Sequence, residues 1–264
     1  MDYQHLIVTQ DEGVVTVQLN RPEKHNSLNA LLMTELTEFA RAYRSRADVR
    51  AIVLTGGTTL FSAGADLTTL EGDVSKRPSM LEMRELLLAG PDMCRAWEEI
   101  EPVTIVAVEG YCVGGACALA LACDFRVISS SGMMRLPEVP MGINMSWRSL
   151  PRLVSLVGPA RAKRFTMFGA STDAATLMNW GMVDEVVEPQ TVLKAAHKWA
   201  EGIANLPPLS IRMTKESINA IANANHHATS YMDRDQFMLT FGTEDLREGI
   251  NAFFEKRTPK FKGN

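Results

Sequence analysis

The sequence predicts an α/β fold in which helices cover a sheet built from β-helix-β units. Short apolar segments alternate with amphipathic ones over roughly the first 190 residues, as is typical of this class. The chain has 264 residues, of which 46% are hydrophobic and 22% are charged, so it can bury a large core. Folds of about 200 to 250 residues are often single domains, and we expect one large domain with right-handed crossovers.

Four segments are predicted to be strands, because each is short, apolar and bounded by turn residues. They run from Val14 to Leu19, Ala51 to Thr55, Val103 to Val108 and Phe125 to Ile128. Three segments between them have the apolar spacing or the small-residue composition of helices. These run from Asn29 to Ser45, Met80 to Ile100 and Ala116 to Cys123.

The chain becomes mainly helical after Gly158, and we place a change of architecture near residue 190. We therefore expect two segments that form a single functional unit. They are a core over residues 1–190 and a helical segment over residues 191–264. The later helices are predicted over these ranges: Pro159 to Phe168, Thr172 to Trp180, Thr191 to Leu206, Pro208 to Ala224 and Glu244 to Lys256. No fixed-period repeat is present, which argues against solenoids and propellers.

Charge and composition exclude several classes of function. The formal net charge is −4, which argues against an extended nucleic-acid surface. No apolar stretch approaches the roughly 20 residues that cross a bilayer, and residues 1–10 are polar rather than a signal sequence. We therefore expect a soluble cytoplasmic protein. The four cysteines form no CxxC pair and are expected to be reduced and buried; they are Cys94, Cys112, Cys117 and Cys123.

Two glycine-containing loops could present unpaired backbone amides. One runs from Phe61 to Asp66 after a strand, and the other runs from Val113 to Cys117 and opens a helix. The first N–H groups of a helix have no internal partners, and the helix dipole adds partial positive charge, so an oxyanion is favoured there. Neither GxxxxGK[ST] nor GxGxxG occurs, so nucleotide-phosphate loops of those kinds are unsupported.

A third element is the proline-rich stretch from Leu136 to Gly142, where Glu138 lies among apolar residues. Desolvation disfavours the carboxylate anion and would raise the pKa of this side chain. A base with a pKa nearer neutrality exchanges protons with carbon more effectively than a surface glutamate. The alternative is a solvent-facing loop glutamate.

The order and spacing of these elements resemble the crotonase superfamily, also called the enoyl-CoA hydratase/isomerase family. The resemblance covers nearly the whole chain, and three runs carry it most specifically: Asn20 to Asn29, Phe61 to Leu67 and Gly110 to Cys117. It implies a crotonase-type ββα spiral core with a helical C-terminal segment, residues 191–264, that completes the site and forms homotrimers, often paired into homohexamers. The implied substrate is an acyl-CoA thioester, as in fatty acid metabolism.

The resemblance also assigns roles to individual residues. The amides of Ala65 and Gly115, with Gly114 beside them, would form an oxyanion hole around the thioester oxygen, and Glu138 would transfer the proton. Residues implied to contact coenzyme A are Lys24, His25, Ala63, Asp66, Phe237, Phe253 and Lys256. No cofactor is expected beyond the coenzyme A that the substrate carries. No metal is expected either, because the carboxylates considered, those of Asp66, Glu138 and Asp184, lack histidines or cysteines at ligand spacing.

Two departures from the family pattern bear on the reaction. Hydratases of the family resemble one another in a glutamate three residues after the second oxyanion glycine, where this chain has Ala118. A double-bond shift needs only one carboxylate, so we expect an isomerase that uses Glu138. The family's glycine-rich run is also replaced by one with Trp147 and Arg148. Trp147 could reshape the acyl pocket, and Arg148 could pair with an acidic group.

Two alternatives stay open. The first is a hydratase or related lyase that recruits another acid, such as Glu82, Glu85 or Asp92. The second is a non-catalytic acyl-CoA-binding homologue, favoured only if Glu138 points away from the thioester. The RNA binding of some relatives finds no basic-aromatic stripe here. The polar segment from Glu71 to Pro78 is a candidate lid.

Overall fold

The main sheet has six strands, and the computed structural model describes residues 2–66 and 78–264 of the chain. The strand order is β1-β2-β3-β4-β6-β9, in which β1 and β2 are antiparallel and the other neighbours are parallel. The strands are β1 (Leu6–Asp11), β2 (Val14–Leu19), β3 (Ala51–Thr55), β4 (Val103–Val108), β6 (Phe125–Ser129) and β9 (Glu185–Val187).

Shorter strands, which follow strands of the main sheet along the chain, form a second and smaller layer. It contains β5 (Tyr111–Val113), β7 (Met133–Arg135) and β8 (Thr172–Asp173) in one sheet. Two single bridges extend this pattern, one between Leu28 and Ala65 and one between Ser62 and Cys112. Successive turns of the chain therefore pair first in the large sheet and then in the small layer, which is a ββα spiral.

Helices complete each turn and form the C-terminal part. They are α1 (Ala30–Tyr43), α2 (Met80–Leu86), α3 (Ala89–Glu98), α4 (Gly115–Ala122), α5 (Ser149–Phe168), α6 (Ala174–Trp180), α7 (Val192–Ala204), α8 (Pro208–Ala222), α9 (His226–Ser230), α10 (Asp233–Phe241) and α11 (Glu244–Phe254). Within the described ranges, no helix is long and apolar enough to cross a membrane.

Both faces of the sheet are covered, so β3 and β4 are buried along their whole length. On one face Val192, Ala196 and Ala200 of α7 pack against residues of these strands. On the other face α1, α3 and α4 pack together, with Trp97 fully buried among them and its indole N–H donating to the Leu36 carbonyl at 3.1 Å. Two-sided burial explains why these strands are continuous apolar runs.

The strand predictions are confirmed, and several helix predictions are corrected. The segment predicted as one helix from Met80 to Ile100 forms two helices, α2 and α3, because the helix is interrupted between Leu86 and Ala89. The helix predicted from Pro159 to Phe168 is confirmed, since Gly158 is non-helical with φ +76°, but a further helical stretch over residues 149–157 precedes this kink in α5. The segment predicted as helix from Thr172 starts as β8.

The remaining elements were not predicted. The first ten residues contain most of β1, which pairs with β2, although its Leu6-Ile7-Val8 run was interpreted as part of a polar start. The short strands β5, β7, β8 and β9 and the helices α9 and α10 were also missed, because segments this short carry little periodic signal. The four cysteines are free and buried, as predicted. Residues 71–77 of the predicted lid lie outside the described residues.

Candidate active site

The first amide donor is produced by a single β-bridge between Leu28 and Ala65. The Leu28 N–H donates to the Gly64 carbonyl at 2.8 Å, and the Asp66 N–H donates to the Leu28 carbonyl at 3.1 Å. In such a parallel pairing the residue between the two bonds turns its own N–H to the opposite side. The Ala65 N–H has no hydrogen-bond partner among the described residues, and Ala65 is exposed. It is therefore free to bind an external oxygen.

The second amide donor is the first residue of α4. Gly114 precedes the helix with φ +55° and ψ −122°, and its own N–H is already bonded to the Arg135 carbonyl at 2.9 Å. The Gly115 N–H is one of the first-turn donors that a helix cannot satisfy internally. The helix dipole points its positive end to the same place.

The two donor loops are in direct contact. A Cβ atom added to Gly64 would lie 2.4 Å from the Val113 carbonyl oxygen and 3.4 Å from the Gly115 nitrogen. The Val113 N–H also donates to the Ser62 carbonyl at 3.1 Å, which ties the strand before α4 to the first loop. Ala65 follows Gly64 directly, so the amides of Ala65 and Gly115 belong to one small area.

Glu138 lies against the same glycines. Its Oε1 atom would be 3.0 Å from a Cβ atom at Gly114, and its Oε2 atom is buried without a hydrogen-bond partner among the described residues. Burial raises the pKa of Glu138 to about 7, against the opposing effects of a backbone hydrogen bond and the Arg135 charge. The residue keeps some exposed surface although its carboxylate is enclosed. A buried carboxylate with a raised pKa and no ion-pair partner is a candidate proton-transfer group.

The position expected to carry a second carboxylate in hydratases is occupied by a methyl group. Ala118 is buried and lies three residues after Gly115, on the same side of α4. The three substitute acids considered are not enclosed beside the glycines. Glu82 is exposed and accepts an N–H at the start of its own helix, Glu85 is exposed, and Asp92 is partly exposed. Glu138 is thus the enclosed acid next to the donors in the described part of the chain.

The segment after Glu138 brings an indole onto the second donor. Trp147 lies between α3 and α4, where a Cβ atom on Gly90 would be 2.1 Å from its Cε2 and one on Gly115 would be 2.3 Å from its Cζ3. The predicted acidic contact of Arg148 is made by its backbone, because its N–H donates to Asp233 Oδ2 at 2.9 Å. Burial raises the pKa of Asp233 to about 6, and the Arg148 charge opposes this shift.

Four of the residues assigned to coenzyme A lie together around the first donor loop. Lys24 and His25 are exposed, and the His25 carbonyl accepts the Ala63 N–H at 3.0 Å. Asp66 is the fourth, and one of its carboxylate oxygens lies 3.2 Å from the guanidinium of Arg21. The Asp66 carboxylate therefore holds the loop in addition to any role towards a ligand.

The other three lie on the C-terminal helices. Phe237 stacks on Phe241 with ring centroids 5.7 Å apart, and Phe253 meets Phe254 edge to face. Lys256 follows α11 and is exposed with φ +53°. No contact joins them to the first group among the described residues, so their assignment to coenzyme A stays a prediction.

The C-terminal helices nevertheless contact the loop that carries the acid. A Cβ atom on Gly249 of α11 would lie 2.4 Å from the Met141 carbonyl oxygen, and one on Gly142 would lie 2.9 Å from the Asp245 backbone. The Asn144 N–H donates to Thr240 Oγ1 at 3.0 Å. Helices α10 and α11 thus support the Glu138 loop from within the same chain.

Sequence reasoning gave no role to Arg21, which the structure places behind the first donor. This residue is 8% exposed, and its guanidinium donates to the Ser27 carbonyl at 2.5 Å as well as approaching Asp66. It ties together the segments on both sides of the Leu28 bridge. The Asn20-Arg21-Pro22 run contained a signal for this role. Its arginine is followed by a turn, and the sequence offers it no obvious partner at the surface.

An apolar cavity of about 530 Å³ lies elsewhere, between the end of α4 and α8. Leu121, Phe125, Ile211 and His226 are among its lining residues, whereas Ala65, Gly115 and Glu138 are not. We place the candidate site at the glycine loops, because the unpaired donors and the enclosed acid converge there. In the described ranges no cluster of three or more His, Cys, Asp or Glu side chains could hold a metal ion.

Comparisons with known proteins identify the family of the chain. The family described as enoyl-CoA hydratase/isomerase matches residues 9–264. A probable enoyl-CoA hydratase of Rhizobium meliloti is 35% identical, and a crotonyl-CoA hydratase of Syntrophomonas wolfei is 32% identical, each over 99% of both chains. A crystal structure of an enoyl-CoA hydratase/isomerase from Pseudoalteromonas atlantica superposes with a TM-score of 0.86 at 28% identity, covering 98% of this chain and all of that one. The chain belongs to the enoyl-CoA hydratase/isomerase family.

Proposed function

We propose that this enzyme moves a proton between carbon atoms of an enoyl-CoA thioester and thereby shifts its double bond. The observation that carries the proposal is the enclosed, unpaired carboxylate of Glu138 against Gly114, one residue from a free helix-terminal amide. The methyl group of Ala118 stands where a second carboxylate would be needed to manage a water molecule. One acid and two amides are sufficient for a double-bond shift.

The reaction begins with a 3-enoyl thioester whose oxygen accepts the N–H groups of Ala65 and Gly115. The Glu138 carboxylate removes a proton from C2, and the electron pair moves into a dienolate whose charge rests on the thioester oxygen. The protonated acid then returns the proton to C4, and the double bond lies between C2 and C3. No water is consumed, and no cofactor is required beyond the coenzyme A of the substrate.

Each group contributes a separate part of the rate. Removal of one oxyanion-hole donor typically costs about 3 to 4 kcal/mol of transition-state stabilisation. A general base with a pKa near the working pH contributes on the order of a hundredfold to ten-thousandfold. A pKa of about 7 leaves a substantial fraction of Glu138 ionised at neutral pH while keeping it basic enough to attack a carbon acid.

The test uses two substrates in separate incubations. With a 3-enoyl-CoA the wild-type enzyme is expected to form the 2-enoyl isomer, and Glu138→Gln is expected to lose this activity by about a hundredfold or more. With a 2-enoyl-CoA little 3-hydroxyacyl-CoA is expected. Hydration that dominates and survives Glu138→Gln contradicts the assignment.

Hydration of a 2-enoyl-CoA is the second candidate, favoured by the names of the relatives. Several are called hydratases, among them a short-chain-enoyl-CoA hydratase of Clostridium acetobutylicum at 30% identity. In this reaction Glu138 would activate the water and protonate C2 without help from a second glutamate. The two-substrate experiment separates the candidates, because only hydration produces a 3-hydroxyacyl-CoA.

A non-catalytic acyl-CoA-binding protein is the third candidate. It would bind a saturated acyl-CoA in a titration but convert neither enoyl substrate. The enclosed setting of Glu138 beside the amides favours catalysis over this candidate, because burial of a carboxylate without a partner is costly for a binding protein.

We also propose that the chain assembles as a homotrimer or a homohexamer. Helix α8 exposes four large apolar side chains, those of Leu209, Met213, Ile218 and Ile221, and so much exposed apolar surface favours an interface with another subunit. Light scattering after gel filtration tests this proposal, which expects three or six times the 29.1 kDa of one chain. A monomer at micromolar concentration contradicts it.

A further inference from the structure

The indole of Trp147 is held in an unusual backbone conformation. Trp147 and Arg148 have φ +60° and +55°, in the left-handed region that bulky residues rarely adopt. Such a conformation persists only where surrounding contacts enforce it, and it is enriched at functional sites. The pair therefore needs an explanation beyond a simple turn before α5.

Several hydrogen bonds enforce this conformation. A guanidinium N–H of Arg152 donates to the carbonyls of both Trp147 and Arg148 at 3.2 Å. Arg152 is in turn fixed by the Glu98 carboxylate, whose two oxygens accept its N–H groups at 2.7 and 3.0 Å. The Arg148 N–H is bound by Asp233 at 2.9 Å. Contacts from α3, α5 and α10 thus fix the backbone at Trp147 and Arg148.

The ring of Trp147 lies beside the reacting atoms of the proposed substrate. The indole touches Gly115, the second amide donor, while the Glu138 carboxylate touches the neighbouring Gly114. On its other side the indole touches Gly90 of α3, where even a methyl group would overlap it. The ring therefore fills the space between α3 and α4 next to the thioester oxygen.

We infer that Trp147 is a specificity-determining wall of the acyl pocket that restricts the substrate to short acyl chains. The inference rests on the proposed function, because it assumes an acyl thioester bound at Ala65 and Gly115. Carbons that extend from the thioester towards α3 meet the indole instead of an open groove. Since the backbone is fixed and the indole is packed between Gly90 and Gly115, the ring cannot swing aside at low cost, and long acyl tails are excluded.

The test measures binding of saturated acyl-CoAs, which requires no turnover. Isothermal titration gives the Kd of butyryl-CoA and of decanoyl-CoA for the wild type, for Trp147→Ala and for Trp147→Phe. The ratio of the decanoyl to the butyryl Kd is expected to fall about tenfold to a hundredfold in Trp147→Ala, the range in which an apolar pocket discriminates tails. Trp147→Phe is expected to show a smaller fall of about threefold, since a phenyl ring leaves part of the wall in place.

A matched control is Trp199→Phe. Trp199 lies on α7, its indole N–H donates to Glu185 at 2.6 Å, and its ring packs on Phe125. Among the described residues it shares no hydrogen bond or ring contact with the donor loops, so the Kd ratio should not change. A core-packing role of Trp147 would alter the melting temperature or both affinities together, but not their ratio.

The outcomes separate the inference from the proposed function. An unchanged ratio in the folded Trp147→Phe or Trp147→Ala variant, or tighter decanoyl than butyryl binding by the wild type, overturns the inference while leaving the function intact. A wild type that binds neither acyl-CoA overturns both. The conservative phenylalanine variant keeps the test decisive if the alanine variant does not fold.

Discussion

The two amide donors of the candidate site are the same chemical group built in two ways. The Gly115 N–H is free because a helix begins there, which is a local property of a few residues. The Ala65 N–H is free because a single bridge to Leu28 uses the neighbouring groups, which come from a distant part of the chain. The donor at the start of α4 is therefore set by local sequence, whereas the donor at Ala65 depends on tertiary contacts.

These tertiary contacts can be named. Ser62 Oγ donates to the Asn26 carbonyl at 2.7 Å and accepts the Gly64 N–H at 3.1 Å. Arg21 joins Ser27 to Asp66 across the same bridge. Disturbing any of them should move Ala65 relative to Gly115, while α4 keeps its own start.

The largest effect is expected from Gly64→Ala, which should displace Ala65, the donor held by the bridge to Leu28. Gly64 has φ +89°, and the new methyl carbon would lie 2.4 Å from the Val113 carbonyl oxygen, so the loop must shift away from α4. We expect kcat for 3-enoyl-CoA to fall about a hundredfold to a thousandfold, as when one oxyanion donor is lost. Gly202→Ala is the matched control, because nothing lies within 4 Å of its new methyl group. Equal activity of the two variants would remove Ala65 from the mechanism.

The charge of the Glu138 carboxylate, which is enclosed beside Gly114, is expected to cost stability. The pKa of Glu138 is raised from 4.5 to about 7 in the folded protein, so the folded state binds its proton more tightly than the unfolded state. Stability contributed by this group is therefore full below about pH 4.5 and is lost as the pH rises to about 7. At higher pH the loss is about 3 kcal/mol in the free energy of unfolding.

Glu138→Gln leaves both amides in place and removes this charge. The variant is expected to be more stable than the wild type by up to about 3 kcal/mol at pH 8, with a much smaller difference at pH 4. Urea unfolding at the two pH values measures it. A pH-independent difference would mean that the carboxylate is not enclosed in solution.

The position of Gly115, the donor at the start of α4, can be perturbed through Trp147, whose indole contacts it. Gly90→Ala places a methyl group 2.1 Å from the indole and pushes the ring towards Gly115. We expect a loss of about 1 to 3 kcal/mol in the free energy of unfolding, as for other overpacked sites. In a Trp147→Ala background the same change should be neutral or slightly stabilising, as is usual for Gly→Ala in a helix. Equal losses in both backgrounds would contradict the contact.

The smallest effect is expected from Arg21→Lys, which keeps the charge but loses the planar fork. A lysine cannot bind Ser27 and Asp66 as the guanidinium does, so Ala65 should be less well placed. We expect kcat to fall by about tenfold, with a smaller change in KM, because a misplaced catalytic group affects the transition state more than substrate binding. Arg46→Lys is the control, since Arg46 pairs with Asp48 at the exposed surface. The hypothesis is wrong if both variants behave like the wild type.

Several parts of the molecule follow from the sequence alone. The strands β2, β3 and β4 were predicted to the residue, because two-sided burial makes β3 and β4 apolar runs with sharp ends, and β2 alternates between buried and partly buried residues. The start of α4 and the apolar surroundings of Glu138 were also predicted, because both depend on residues within a few positions of each other. The membership of the family follows from the same short runs.

What failed depends on long-range contacts. The role of Arg21 and the left-handed pair at Trp147 cannot be read from spacing, since their partners come from other elements. The helical continuation from Ser149 to Val157 was missed for the same reason, because its start is fixed by contacts with Ser146 and Asp233.

The sequence by itself determined the α/β class, the free amide at Gly115 and the identity of the single acid at residue 138, because local backbone rules and burial preferences act over a few residues. The tertiary structure alone decided that Ala65 lies beside Gly115, that Glu138 is enclosed without a partner, and that Trp147 is wedged against Gly90 and Gly115. These features arise where successive turns of the spiral meet, and no local pattern specifies the distance between them.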